Sequence, residues 1–180
     1  MWRQEPTEAF RIMKTADDKL LEAIADNDLN GVKAAIGAGA NVNEIGYFDE
    51  TPLIYAARCH IIDPEIISLL LDCGAFPNHR EYCGFTALML AVTRRSTEVV
   101  GMLLKAGADP YMTLQGKNII WYALQSPNED MVDFLVSCGF DPDMVDPESG
   151  YSALDWAHYH KIPGYVSKLT AVQHTACRTH

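Results

Sequence analysis

The sequence predicts an all-α repeat solenoid of about five helix-turn-helix units joined by β-turn or hairpin fingers. Three observations predict it. A capped apolar segment recurs along the chain, and a glycine stop recurs behind an apolar pair. The two recur in phase, at steps of 32 to 35 residues. Chance similarity does not produce two phase-locked motifs. They mark stacked units, none of which can bury its apolar face alone.

The first motif is Thr51-Pro52-Leu53-Ile54-Tyr55-Ala56-Ala57. Thr51 suits an N-cap, where its hydroxyl accepts from a free N–H of the first turn. Pro52 suits the first helical position, which needs no N–H. Leu53 and Ala56 share a face, and the alanine leaves room for a neighbouring helix. The motif returns as Thr86-Ala87-Leu88-Met89-Leu90-Ala91, Asn118-Ile119-Ile120-Trp121-Tyr122-Ala123 and Ser152-Ala153-Leu154-Asp155-Trp156-Ala157. Every copy begins with a capping residue.

The second motif is Gly39-Ala40-Asn41-Val42-Asn43, echoed at Gly74-Ala75-Phe76-Pro77-Asn78, Gly107-Ala108-Asp109-Pro110 and Gly139-Phe140-Asp141-Pro142. Each glycine sits where a helix must end with positive φ.

In chain order, residues 1–16 form an N-terminal extension. Thr7 and the spacing of Ala9, Phe10 and Met13 predict a short helix there. Residues 17–43 form the first, capping unit. Asp17 or Asp18 is expected to cap a helix carrying Leu20, Leu21 and Ile24. Asp26-Asn27-Asp28 turns the chain into a second helix carrying Leu29, Val32 and Ile36. Internal units span 44–78, 79–110 and 111–143, and a C-terminal cap spans 144–171. Residues 172–180 are expected to be a flexible tail.

These units resemble the ankyrin-repeat family, and the resemblance covers roughly residues 17–170. It implies an ankyrin-repeat array that binds other proteins through a concave face of finger tips and first helices. The chain departs from the family where the signature histidine stands. Ile54, Met89, Trp121 and Asp155 occupy that place, so the array is expected to rely more on apolar contact between units. The second unit gains residues within Arg58-Cys59-His60-Ile61-Ile62-Asp63. The fourth has a shortened finger at Gln115-Gly116 and a first helix that Ser126-Pro127 ends early. Pro163-Gly164 is expected to shorten the last helix.

Composition narrows the function. Hydrophobic residues make up 48% of 180, enough for a continuous core, and the formal net charge is −10. An acidic chain lacks the basic face that a phosphate backbone requires, so nucleic-acid binding is not expected. No window reaches the ~18–20 apolar residues of a membrane span. Five cysteines, an odd number without a Cys-x-x-Cys pair, fit a reducing, cytoplasmic setting. Non-classical secretion is compatible with the same features.

No motif builds a catalytic site, and no cofactor or metal is expected. Gly-rich phosphate loops, His-Glu-x-x-His and Gly-x-Ser-x-Gly are absent. His158 and His160 point about 200° apart on a helix, poorly placed for one metal. Asp155 and His158, one turn apart, suit a local cap or surface pair. Cys73 and Cys138 hold the same repeat position two units apart and are expected as free thiols. The equivalent residues Tyr55, Leu90, Tyr122 and Trp156 read as interior packing, with partial exposure on the inner face as the functional alternative.

The positions left free by the fold are the informative ones. The finger tips carry Tyr47, Phe48, Tyr82, Phe85, Tyr111 and Tyr151. The turn side carries Arg58, His60, Arg94, Arg95, Gln125, Tyr159 and His160. Aromatic and arginine side chains are the types enriched at interface hot spots. The candidate partner-binding set is Tyr47, Phe48, Arg58, Tyr82, Phe85, Arg94, Arg95, Lys117, Tyr151, Tyr159 and His160. Residues 79–110, with Arg80, Arg94, Arg95 and Lys105, suggest a locally basic patch inside an acidic frame.

The expected function is a non-catalytic protein–protein interaction module, monomeric, with another protein as partner. The alternative is a dedicated inhibitor or immunity-type protein that neutralises a basic enzyme. A steep fall of affinity with salt would favour that alternative.

Overall fold

The computed structural model describes residues 14–124, 129–141, 145, 150–159 and 164. Most of the expected N-terminal helix, Gln125, Ser126-Pro127, His160, Pro163 and the tail lie outside the described residues. Helices run in antiparallel pairs: α1 (Ala16–Ala25) with α2 (Leu29–Gly37), α3 (Pro52–Arg58) with α4 (Pro64–Asp72), α5 (Ala87–Thr93) with α6 (Thr97–Lys105), and α7 (Ile119–Leu124) with α8 (Glu129–Ser137). A further helix, α9 (Ala153–Tyr159), follows. Among the described residues there is no strand, only one isolated bridge between Leu114 and Lys117.

The capping residues act as their chemistry requires. Thr51 Oγ1 accepts from Ile54 N and Thr86 Oγ1 from Met89 N. Asn118 Oδ1 accepts from the N–H groups of Ile120 and Trp121. The first helix corrects the expectation that Asp17 or Asp18 caps it. Thr15 is the N-cap, Asp18 closes a reciprocal capping box, and Asp17 instead accepts from Asn41 N at 2.7 Å.

The glycine stops are Schellman motifs. At Gly74, with φ +86°, the Gly74 N–H reaches the Leu71 carbonyl and Ala75 N–H reaches that of Leu70. The same pair of hydrogen bonds closes α2, α6 and α8.

The first helices stack in one row, α1–α3–α5–α7–α9, with α2, α4 and α6 in a second row. In the second row α6 meets α8 at Gly101, where a Cβ would lie 3.3 Å from Phe134 Cζ. Between the rows runs one core of fully buried side chains, including Leu20, Leu53, Ile67, Leu88, Leu103 and Ile120. Ile54 and Met89, at the place of the family's histidine, are part of it. Apolar side chains fill that place in these two units and half-buried Trp121 does in the next, whereas Asp155 in the last is exposed and bonded to Ser152.

A polar tie nevertheless persists elsewhere. Asn43 Nδ2 donates to the Gly74 carbonyl while its Oδ1 accepts from Phe76 N. Asn78 repeats the pattern with Gly107 and Asp109. Tyr111 holds the equivalent place in the next unit and stacks on Phe140, ring centroids 5.3 Å apart.

Candidate functional site

Four fingers link the helix pairs, and the three whose residues are all described are tight turns rather than ladders. The first closes with Gly46 N–H on the Glu50 carbonyl around a 3-10 turn at Tyr47–Asp49. Phe48 and Asp49 both have positive φ, 61° and 57°. Left-handed backbone costs an ordinary residue about 1–2 kcal/mol, and Asn-Gly is the usual choice in such turns. The second finger closes between Glu81 N–H and the Phe85 carbonyl. The third is the shortened one, a two-residue turn with Gln115 and Gly116 at positive φ between bridged Leu114 and Lys117. Of the fourth, only Val145, Gly150, Tyr151 and Ser152 are among the described residues.

Neighbouring fingers are bonded to one another. Tyr82 N–H donates to the Phe48 carbonyl at 2.7 Å, and His79 Nε2 lies 2.8 Å from the Asp49 carbonyl. This fixes Tyr47, Phe48 and Tyr82 side by side, at 93, 69 and 75% exposure. None of the three supports the core.

The other sequence candidates divide by environment. Phe85 is half-buried against the core, its ring edge-on to Tyr122 at 5.8 Å. Tyr122 begins an aromatic run through Trp121 and Trp156 to Tyr151 and Tyr159, both exposed. Lys117 Nζ lies 4.0 Å from the Trp121 ring centre, a cation–π contact. Tyr55, Leu90 and Trp156 are half-buried against the core and Tyr122 is buried, so the column packs on the core while three of its members keep partial exposure.

The arginines carry most of the structural surprise. Arg58 pairs with Glu50 at 2.8 Å and with Glu81 at 3.3 Å, joining two fingers through one guanidinium. Glu81 has its side chain only 1% exposed. Burial pushes its pKa up, but the Cys83 and Phe85 N–H groups and Arg58 outweigh that and hold it below the usual value. Glu50 moves the other way. Burial raises it more than Arg58 lowers it, and the Glu81 charge adds to the rise.

Arg94 Nη2 donates to the Arg58 carbonyl at 3.0 Å, tying α5 to α3. Arg80 Nη1 donates to the carbonyls of Thr113 and Gly84. Arg80, Arg94, Arg95 and Lys105 of the expected basic patch are all exposed, though two of them also make internal contacts. Three of its neighbourhood's guanidiniums serve acceptors of this chain, because carbonyls at helix and turn ends lie within an arginine's reach. Arg95 differs. It sits at φ 63°, in the left-handed position after α5 where Asn27 stands after α1.

The Asp155–His158 pair resolves as the local cap. Asp155 Oδ2 accepts from Ser152 N and Oγ, completing a capping box, while His158 Nδ1 lies 3.0 Å from the Leu154 carbonyl. Asp155 is held below the usual value by the Ser152 backbone and hydroxyl donors. Cys59, Cys73, Cys83 and Cys138 are free thiols, and burial pushes Cys59 up. Among the described residues, no three His, Cys, Asp or Glu side chains gather as metal ligands. No described helix is long and apolar enough to cross a membrane.

The Asn43 and Asn78 bridges and the Glu50–Arg58–Glu81 cluster were missed in the sequence. The asparagines carried a signal, since both stand four residues after a stop glycine.

Comparison with known proteins agrees with the repeat geometry. A family model described as ankyrin repeats, in three copies, matches residues 20–113, just over half of the chain. Two putative ankyrin repeat proteins of Acanthamoeba polyphaga mimivirus are similar. One is 40% identical over 81 residues, 44% of this chain and 19% of that protein. The other is 35% identical over 96 residues, 52% of this chain and 59% of that protein. The B-cell lymphoma 3 protein of Homo sapiens is 27% identical over 155 residues, 81% of this chain and 34% of that protein. The chain thus spans from about a fifth to about three fifths of the length of these relatives.

Proposed function

The chain belongs to the ankyrin-repeat family, and from that premise we propose that it is a non-catalytic module binding a partner protein through the concave face of the array. The family typically binds other proteins and is typically non-catalytic. The observation that supports this face over the outer helices is the row Tyr47, Phe48 and Tyr82. These are large apolar side chains on hydrogen-bonded neighbouring fingers, exposed without a packing role. Exposed aromatic clusters of this kind mark interaction surfaces.

The mechanism is preorganisation. The Asn43 and Asn78 bridges, the finger-to-finger bonds and the Arg58 pairs hold the units in register before a partner arrives. Little conformational freedom is then lost on binding. We place the module in a reducing, cytoplasmic setting as a monomer, in keeping with its free thiols.

Hydrogen–deuterium exchange tests this once a partner has been captured from the native source. Slowed exchange at 44–51 and 79–87, with α4 and α6 unchanged, is the expected result. Slowing confined to the second helices would overturn the concave-face reading.

A further inference from the structure

We infer that the first two fingers receive a basic segment of the partner, one that carries lysine or arginine beside apolar side chains. This deepens the interaction-module reading and rests on it. Three aromatic faces are displayed there, and a ring face attracts a cation through its quadrupole. The same two fingers carry the carboxylates of Glu44, Asp49, Glu50 and Glu81. Two guanidiniums stand beside them, and both also serve acceptors of this chain. Arg58 spans Glu50 and Glu81, and Arg80 donates to the carbonyls of Gly84 and Thr113.

What a partner meets is therefore π-electron faces beside exposed Glu44 and Asp49, on fingers whose four carboxylates outnumber the two guanidiniums of Arg58 and Arg80. The chain's net charge of −10 adds long-range attraction for a basic segment. An acidic segment would instead be drawn toward Arg95, at the end of α5.

The test is selection of random dodecapeptides displayed on phage against the full chain, followed by affinity measurement with synthetic copies of the winners. Enriched peptides should carry Lys or Arg beside apolar residues. Their affinity should fall about ten-fold or more with the Tyr47→Ala, Tyr82→Ala double variant. It should fall again with Asp49→Lys and with added salt. The tyrosines are exposed, so the double variant should melt as the parent does, and circular dichroism checks that.

Acidic winners, no enrichment, or affinity unchanged by the double variant would each overturn the inference. Acidic winners that lose binding to Arg95→Ala would leave the interaction face standing with its charge preference reversed. Winners indifferent to both the finger and the Arg95 variants would remove the face as well.

Discussion

Arg58 reaches Glu81 across a unit boundary, with Nη2 3.3 Å from a carboxylate that is almost fully buried. The same guanidinium holds Glu50 of the preceding finger. An arginine that looks free for a partner is thus a strut between fingers. Arg58→Ala should lower the unfolding free energy by about 1–3 kcal/mol, because Glu81 loses a charged donor while buried. The exposed part of the guanidinium keeps the cost below that of a fully buried pair. Urea titration at neutral pH checks it.

The two carboxylates should respond to acid in opposite directions. Glu81 is lowered from 4.5, so its stabilisation is present above that value and is lost as pH falls through its folded pKa. Glu50 is raised from 4.5, so its ionisation costs stability as pH rises through its folded pKa. The deficit of Glu81→Gln relative to the parent should therefore shrink on acidification, below pH 4.5. Any advantage of Glu50→Gln should shrink on the same descent, but beginning above pH 4.5. Stability of the three proteins against pH is the measurement.

Asn78 accepts from Asp109 N and donates to the Gly107 carbonyl, so its amide satisfies two backbone groups of the next unit. Asn78→Ala should cost about 1–3 kcal/mol. Tyr111→Ala breaks a ring stack at the equivalent position, and the stack itself contributes about 0.5–1.5 kcal/mol beyond area burial. Calorimetric melting of the two variants compares the polar and aromatic forms of one joint.

The repeat architecture was legible because its signals are local. Thr51, Thr86 and Asn118 cap within three residues, and the stop glycines need only their own φ. The contacts that define the face are not local. Arg94 finds a carbonyl 36 residues earlier and Asn43 a glycine 31 residues later. Residue type alone does not say whether an arginine will meet its own backbone or a partner. The exposed rings of Tyr47 and Tyr82 were readable because the stacked core has no use for them.

Arg95 pays a conformational cost, since φ 63° suits glycine or asparagine. Arg95→Gly should raise the unfolding free energy by about 0.5–1 kcal/mol, the relief of left-handed strain less the added freedom of the unfolded chain. If the guanidinium contacts the partner, the same variant binds more weakly, a trade of stability against function. Melting and partner affinity, measured together, give both halves.

The most direct test of the interaction face is the affinity of a captured partner for Tyr82→Ala, with melting recorded on the same preparation. The ring is 75% exposed and packs against nothing in the core. The account predicts an affinity loss of about 2–4 kcal/mol with a stability change of about 0.5 kcal/mol or less. Unchanged affinity with an unchanged melting temperature would contradict it.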